Sequence, residues 1–121
     1  MQSKQWNRAR GLATGLALFL SAPVFAADYS CAGPVNGVSL TPGGIVAAQN
    51  AGGQSWGFFC QLGQTTNNFT PEACKGVLAM LLTAQTTGKQ VVIWYRDDLN
   101  CSANRGWNWM STIYWGPMLA D

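Results

Sequence analysis

The four cysteines of this 121-residue chain, Cys31, Cys60, Cys74 and Cys101, all follow an N-terminal stretch with the three zones of a secretory leader. Lys4, Arg8 and Arg10 give a basic start, Gly11 to Leu20 is an uncharged apolar run, and Ser21-Ala22-Pro23-Val24-Phe25-Ala26 supplies a breaker and small residues before a cut. This order predicts a signal peptide over residues 1–26 and a single secreted or periplasmic domain over 27–121. The apolar run is about half the length that a membrane-crossing helix needs, so no membrane span is expected in the mature chain. An even number of cysteines in an oxidising compartment reads as two disulfides, which brace a 95-residue domain whose core alone leaves a modest margin over chain entropy. A zinc site would want short Cys-x-x-Cys pairs or histidine, and the chain has no histidine. No metal or cofactor is expected.

Removing the leader also removes three of the seven basic residues. The remaining Lys75, Lys89, Arg96 and Arg105 stand against Asp28, Glu72, Asp97, Asp98 and Asp121, a formal net charge of −1. Four scattered cations make no basic stripe for phosphate neutralisation, and nucleic acid is excluded as a partner.

The pattern of the mature chain predicts a mostly β domain with one helix, an α+β class. Strands are expected at Val35 to Leu40, Ile45 to Gln49 and Ser55 to Leu62, with Thr41-Pro42-Gly43-Gly44 as the turn of a hairpin. In the third strand, Trp56, Phe58, Cys60 and Leu62 alternate with Gly57, Phe59 and Gln61 and are assigned to the inner face, Trp56 as a core residue. Thr70 is a helix cap, Pro71 and Glu72 suit a first turn, and Gly88 suits the stop, so a helix is predicted from about Pro71 to Thr86. Its apolar face collects Cys74, Val77, Leu78, Leu81, Leu82 and Gln85. Gln90 to Arg96 and Ser111 to Leu119 complete five strands, with Pro117 suited to an edge. Three strands, a helix and two strands is the order of a five-stranded OB-type barrel, with the helix between strands three and four.

Four cysteines allow three connectivities. Cys60 on the inner strand face and Cys74 on the packed helix face rank Cys60–Cys74 with Cys31–Cys101 first.

Cys31-Ala32-Gly33, Cys60-Gln61-Leu62, Thr70-Pro71-Glu72-Ala73-Cys74-Lys75, Leu81-Leu82-Thr83-Ala84 and Tyr114-Trp115-Gly116-Pro117 resemble a group of small secreted bacterial proteins, over nearly the whole mature chain. In strand order and size the chain is also distantly similar to the pentameric B subunits of AB-type toxins, particularly the subtilase cytotoxin kind. That similarity implies an OB fold, ring assembly as a homo-oligomer and binding of host glycans. It transfers no sugar-binding residue.

Catalysis is not expected. Asp97 and Asp98 point in different directions in an extended segment and read as a solvated strand end. Glu72 is explained by the helix dipole, and without histidine the usual base for a serine nucleophile is missing. Five tryptophans in the mature chain, Trp56, Trp94, Trp107, Trp109 and Trp115, are the unusual feature. They serve either as core and interface filler or as stacking surfaces for sugar rings. Trp107 and Trp109, two apart and so on one strand face, are the ligand candidates, with Arg105, Asn104, Asn108 and Asp98 to hydrogen-bond hydroxyls. The chain is therefore expected to be a non-catalytic glycan-binding module, or alternatively a structural or protein-interaction domain of the envelope.

Overall fold

The computed structural model describes Gly15, residues 28–103 and residues 105–121. The predicted leader, Gly15 apart, and the predicted mature start at Ala27 lie outside the described residues. Within them the chain runs through strands β1 (Asp28–Pro34), β2 (Gly37–Leu40), β3 (Ile45–Gln49) and β4 (Gly57–Gln61), helix α1 (Pro71–Thr87), and strands β5 (Gln90–Arg96), β6 (Asn108–Trp109) and β7 (Ile113–Ala120). One sheet has the order β1-β5-β7 and is antiparallel; the other has the order β2-β3-β4-β6, with β6 parallel to β4.

The domain is mostly β with one helix, but the five-stranded barrel is corrected. The described residues form two sheets with no closed barrel, and the helix follows the fourth strand instead of the third. The physical reason is β1. Asp28, Ser30, Gly33 and Pro34 are poor strand formers, yet pairing with the strong strand β5, Cys31 opposite Ile93 and Ala32 opposite Val92, holds them extended. The chain then leaves that sheet through Val35-Asn36 and enters the other as β2.

Helix α1 forms as its ends dictate. Thr70 Oγ1 accepts the Ala73 N–H at 3.2 Å, Pro71 occupies the first turn, and Gly88, at φ 73°, closes the helix with its N–H on the Ala84 carbonyl at 2.9 Å. The buried stripe is Cys74, Val77, Leu81 and Ala84. Leu82 and Gln85, expected on this face, are exposed, because a 3-4-3 row needs only a narrow seam where the helix meets strands of both sheets.

The core between these elements holds Val46, Ala48, Phe59, Cys60, Leu81, Val91, Ile93 and Tyr95. A short 3-10 turn, Ala51–Gly53, presses against β1 and β5 and makes glycine obligatory twice. A Cβ at Gly33 would overlap the Asn50 carbonyl oxygen, and one at Gly52, already at φ 60°, would lie 2.6 Å from Ile93 Cδ1. Two disulfides, Cys31–Cys101 and Cys60–Cys74, stitch this body together. No helix among the described residues is long and apolar enough to cross a membrane.

Tyr95 anchors the 3-10 turn by donating its hydroxyl to the Gly52 carbonyl at 3.1 Å. Burial, and secondarily the Asp97 charge, push the phenol above its ordinary value near 10. A raised folded-state pKa means that its contribution is intact below about pH 10 and is lost as the unfolded phenol ionises above it. Tyr95→Phe is expected to cost about 1 kcal/mol near neutrality, from the lost hydrogen bond. It should also flatten the fall in stability above about pH 10, read from urea midpoints along a pH series. An unchanged alkaline slope would remove Tyr95 as its source.

Candidate functional site

The segment after β5 loops out from Asp97 and returns through β6, and its base is a buried ion pair. Arg105 is 8% exposed, and its Nη2 donates to Asp97 Oδ1 at 3.1 Å and Oδ2 at 3.0 Å and also contacts the Tyr29 hydroxyl. Its guanidinium lies over the Tyr95 ring at 4.4 Å and the Tyr29 ring at 5.6 Å. Burial pulls the Arg105 pKa down from its ordinary value, though an arginine stays charged at physiological pH. Asp97 receives three further donors: Tyr29 Oη at 2.5 Å, Thr112 Oγ1 at 2.7 Å and the Leu99 N–H at 2.9 Å. The carboxylate is saturated, with no lone pair left over for a base.

This corrects the reading of Asp97 as a solvated strand end. A polar residue following a strand gives no local sign that an arginine eight positions on will fold back over it. Asp98 is exposed beside it, as a strand end would be. Arg105, named as a hydrogen-bonding candidate, is held by Asp97 below the surface.

Above this base stands an aromatic ledge. Trp107 is 68% exposed and stacks on Trp56, ring centroids 5.7 Å apart and planes inclined by 23°. Phe58 meets Trp107 and Trp109 edge to face at 6.4 and 5.7 Å, so the two tryptophans flank one ring. The backbone fixes their height: the Trp107 N–H bonds the Trp56 carbonyl at 2.8 Å, and the Met110 N–H bonds that of Phe58 at 2.9 Å. Trp107 itself sits at φ 63°, an uncommon conformation for a bulky side chain and one that the surrounding bonds must maintain.

Trp56 is thus part of the ledge and not a core residue, a second correction. The cause is a bulge. Val46 pairs with Cys60 and Ala47 with Phe58, leaving Phe59 as an extra residue of β4. Phe59 and Cys60 both turn inward and are fully buried, and Trp56 and Phe58 are sent outward.

Beside the ledge a groove of about 300 Å³ is lined by Asp97, Leu99, Arg105, Asn108, Trp109, Ser111 and Thr112. Three of the predicted ligand residues, Arg105, Asn108 and Trp109, meet here, with Trp107 adjoining. Asn104 lies outside the described residues, and Asp98 does not line the groove. The contributions of Trp56, Phe58, Ser111 and Thr112 were not anticipated; the only available signal was the density of aromatics around both segments. A second groove of about 550 Å³ runs along β7 between Trp115, Met118 and the Asn67-Asn68 turn. Among the described residues no cluster of His, Cys, Asp or Glu is arranged to hold a metal ion.

No protein-family model matches the chain, and no curated protein or solved structure matches it either.

Proposed function

We propose that this is a non-catalytic binding module that works outside the cytoplasm and takes a glycan on the Trp56–Trp107–Trp109 ledge. The observation that carries the reading is Trp107: a large ring, two-thirds exposed, backed by a second indole and held by a strained backbone beside a polar groove. Tryptophan filling a core would be covered, and an exposed indole is otherwise a cost in solubility. A flat ring with one face backed and the other free suits the C–H face of a sugar. Asn108 and Ser111 at the rim can meet its hydroxyls. Two disulfides are compatible with the predicted extracellular or periplasmic setting.

Trp107→Ala and Trp109→Ala are each expected to weaken glycan binding by at least about tenfold, the effect of losing a central aromatic contact. Trp107→Ala should leave the unfolding midpoint almost unchanged, because little of that ring is buried. A glycan array followed by titration of the best hit measures both. No hit on the array, or hits that survive both substitutions, would end the glycan reading.

A structural or protein-interaction role in the envelope, with self-association included, is the second reading. It is favoured by the outer face of the β1-β5-β7 sheet, where Ser30, Trp94 and Trp115 lie in one rung and Trp115 is exposed. Light scattering on the wild type and on Trp115→Ser decides whether that face holds copies together.

A further inference from the structure

Resting on the glycan-binding reading, we infer that the ledge selects uncharged sugars and turns away those bearing carboxylates or sulfates. Charge is what separates the two classes of sugar. Recognition of an acidic sugar calls for a cation that still has donors to offer. Every lysine and arginine among the described residues has a carboxylate within 4.0 Å: Glu72 for Lys75, Asp121 for Lys89, Asp28 for Arg96 and Asp97 for Arg105.

Only Arg105 lines the groove, and it is unsuited to the task. Its Nη2 is committed to Asp97 and Tyr29. Its Nη1 is fully buried and makes no hydrogen bond among the described residues. An anion entering would instead face the Asp97 carboxylate in the lining, next to the exposed carboxylate of Asp98. Asp98 has no ion pair among the described residues, so the segment from 97 to 112 carries two carboxylates against one guanidinium.

What remains free is neutral. Asn108 donates to the Gly106 carbonyl at 3.3 Å and keeps its own amide oxygen, and the Ser111 hydroxyl stands exposed at the rim. Together with the indole faces these groups offer dispersion, hydroxyl partners and no fixed positive charge. Such a site suits hexoses and N-acetylhexosamines.

The test pairs neutral with acidic probes: cellohexaose and chitohexaose against hexagalacturonate and sialyllactose, titrated calorimetrically at low and high salt. A neutral probe is expected to bind at least about tenfold more tightly than the acidic ones, which lack a charge-assisted partner. Its affinity should change less than about twofold between 50 and 500 mM NaCl, since no ion pair is there to be screened. Tighter binding of an acidic probe, or a steep loss of affinity with salt, would overturn the inference while leaving glycan binding in place. Absence of binding by all four probes, repeated on a wide glycan array, would overturn the glycan reading and this inference with it.

Discussion

Asp97→Asn is expected to destabilise the domain by about 3–5 kcal/mol, the loss that follows when one partner of a buried ion pair is removed. The Arg105 and Asp97 side chains are only 9% and 11% exposed, so solvent cannot take over the task of the missing charge. The guanidinium would be left charged below the surface, since arginine does not neutralise itself by losing a proton. Tyr29 and Thr112 would also lose half of their acceptor, because an amide offers one oxygen where the carboxylate offers two. Urea denaturation measures the loss, and a change below about 1 kcal/mol would class the pair with exposed salt bridges instead. Asp97→Leu combined with Arg105→Met should recover part of the stability and no more. The stranded charge disappears, but the Tyr29 and Thr112 hydroxyls and the Leu99 N–H still lack their acceptor.

The second large effect is covalent. Opening Cys31–Cys101, whose ends are 70 residues apart in sequence, is expected to cost about 4 kcal/mol in the chain-entropy account. Opening Cys60–Cys74, separated by 14 residues, costs about 3 kcal/mol by the same account. Paired Cys→Ala substitutions are the proper probe, because a serine hydroxyl at the fully buried Cys60 or Cys74 would add an unpaired polar group. For a domain of this length, a loss of 4 kcal/mol corresponds to a drop in Tm of roughly 15–30 °C. Thermal unfolding of the Cys31→Ala, Cys101→Ala protein should show it, and a fall of only a few degrees would mean that the unfolded chain is already compact. On the proposed glycan reading, the same variant should also bind glycan more weakly, because Cys101 pins the loop that carries Trp107.

What the sequence reveals about this molecule depends on how local the signal is. The helix is readable because its cap, its proline and its terminal glycine are written within nineteen residues. The strand β5 is readable from its run of β-branched and aromatic residues. Strand β1 is not, for its extended form is imposed by pairing with a segment some sixty residues away. Three of the five numbered ligand candidates that could be placed meet at the groove, and Trp107 adjoins it, because aromatics crowded into a polar loop are a local signal. The ion pair beneath them is not local: Asp97 and Arg105 are joined only when the loop closes, with Tyr29 brought in from the far end of the chain. The bulge at Phe59 hid the direction of Trp56 for a related reason, since strict alternation predicts faces only where every residue of a strand has a partner.

That single unpaired residue decides more than a register. Were β4 to pair without the bulge, with Phe59 opposite Ala47 in strict alternation from Cys60, Phe58 and the residues before it would turn through half a revolution. The indole now supporting Trp107 would then be sent into the hydrophobic interior, and Gly57 would be left outside with nothing to offer a sugar. The step between a sealed structural face and one that displays an aromatic platform is here a shift of one residue in the pairing of β3 with β4.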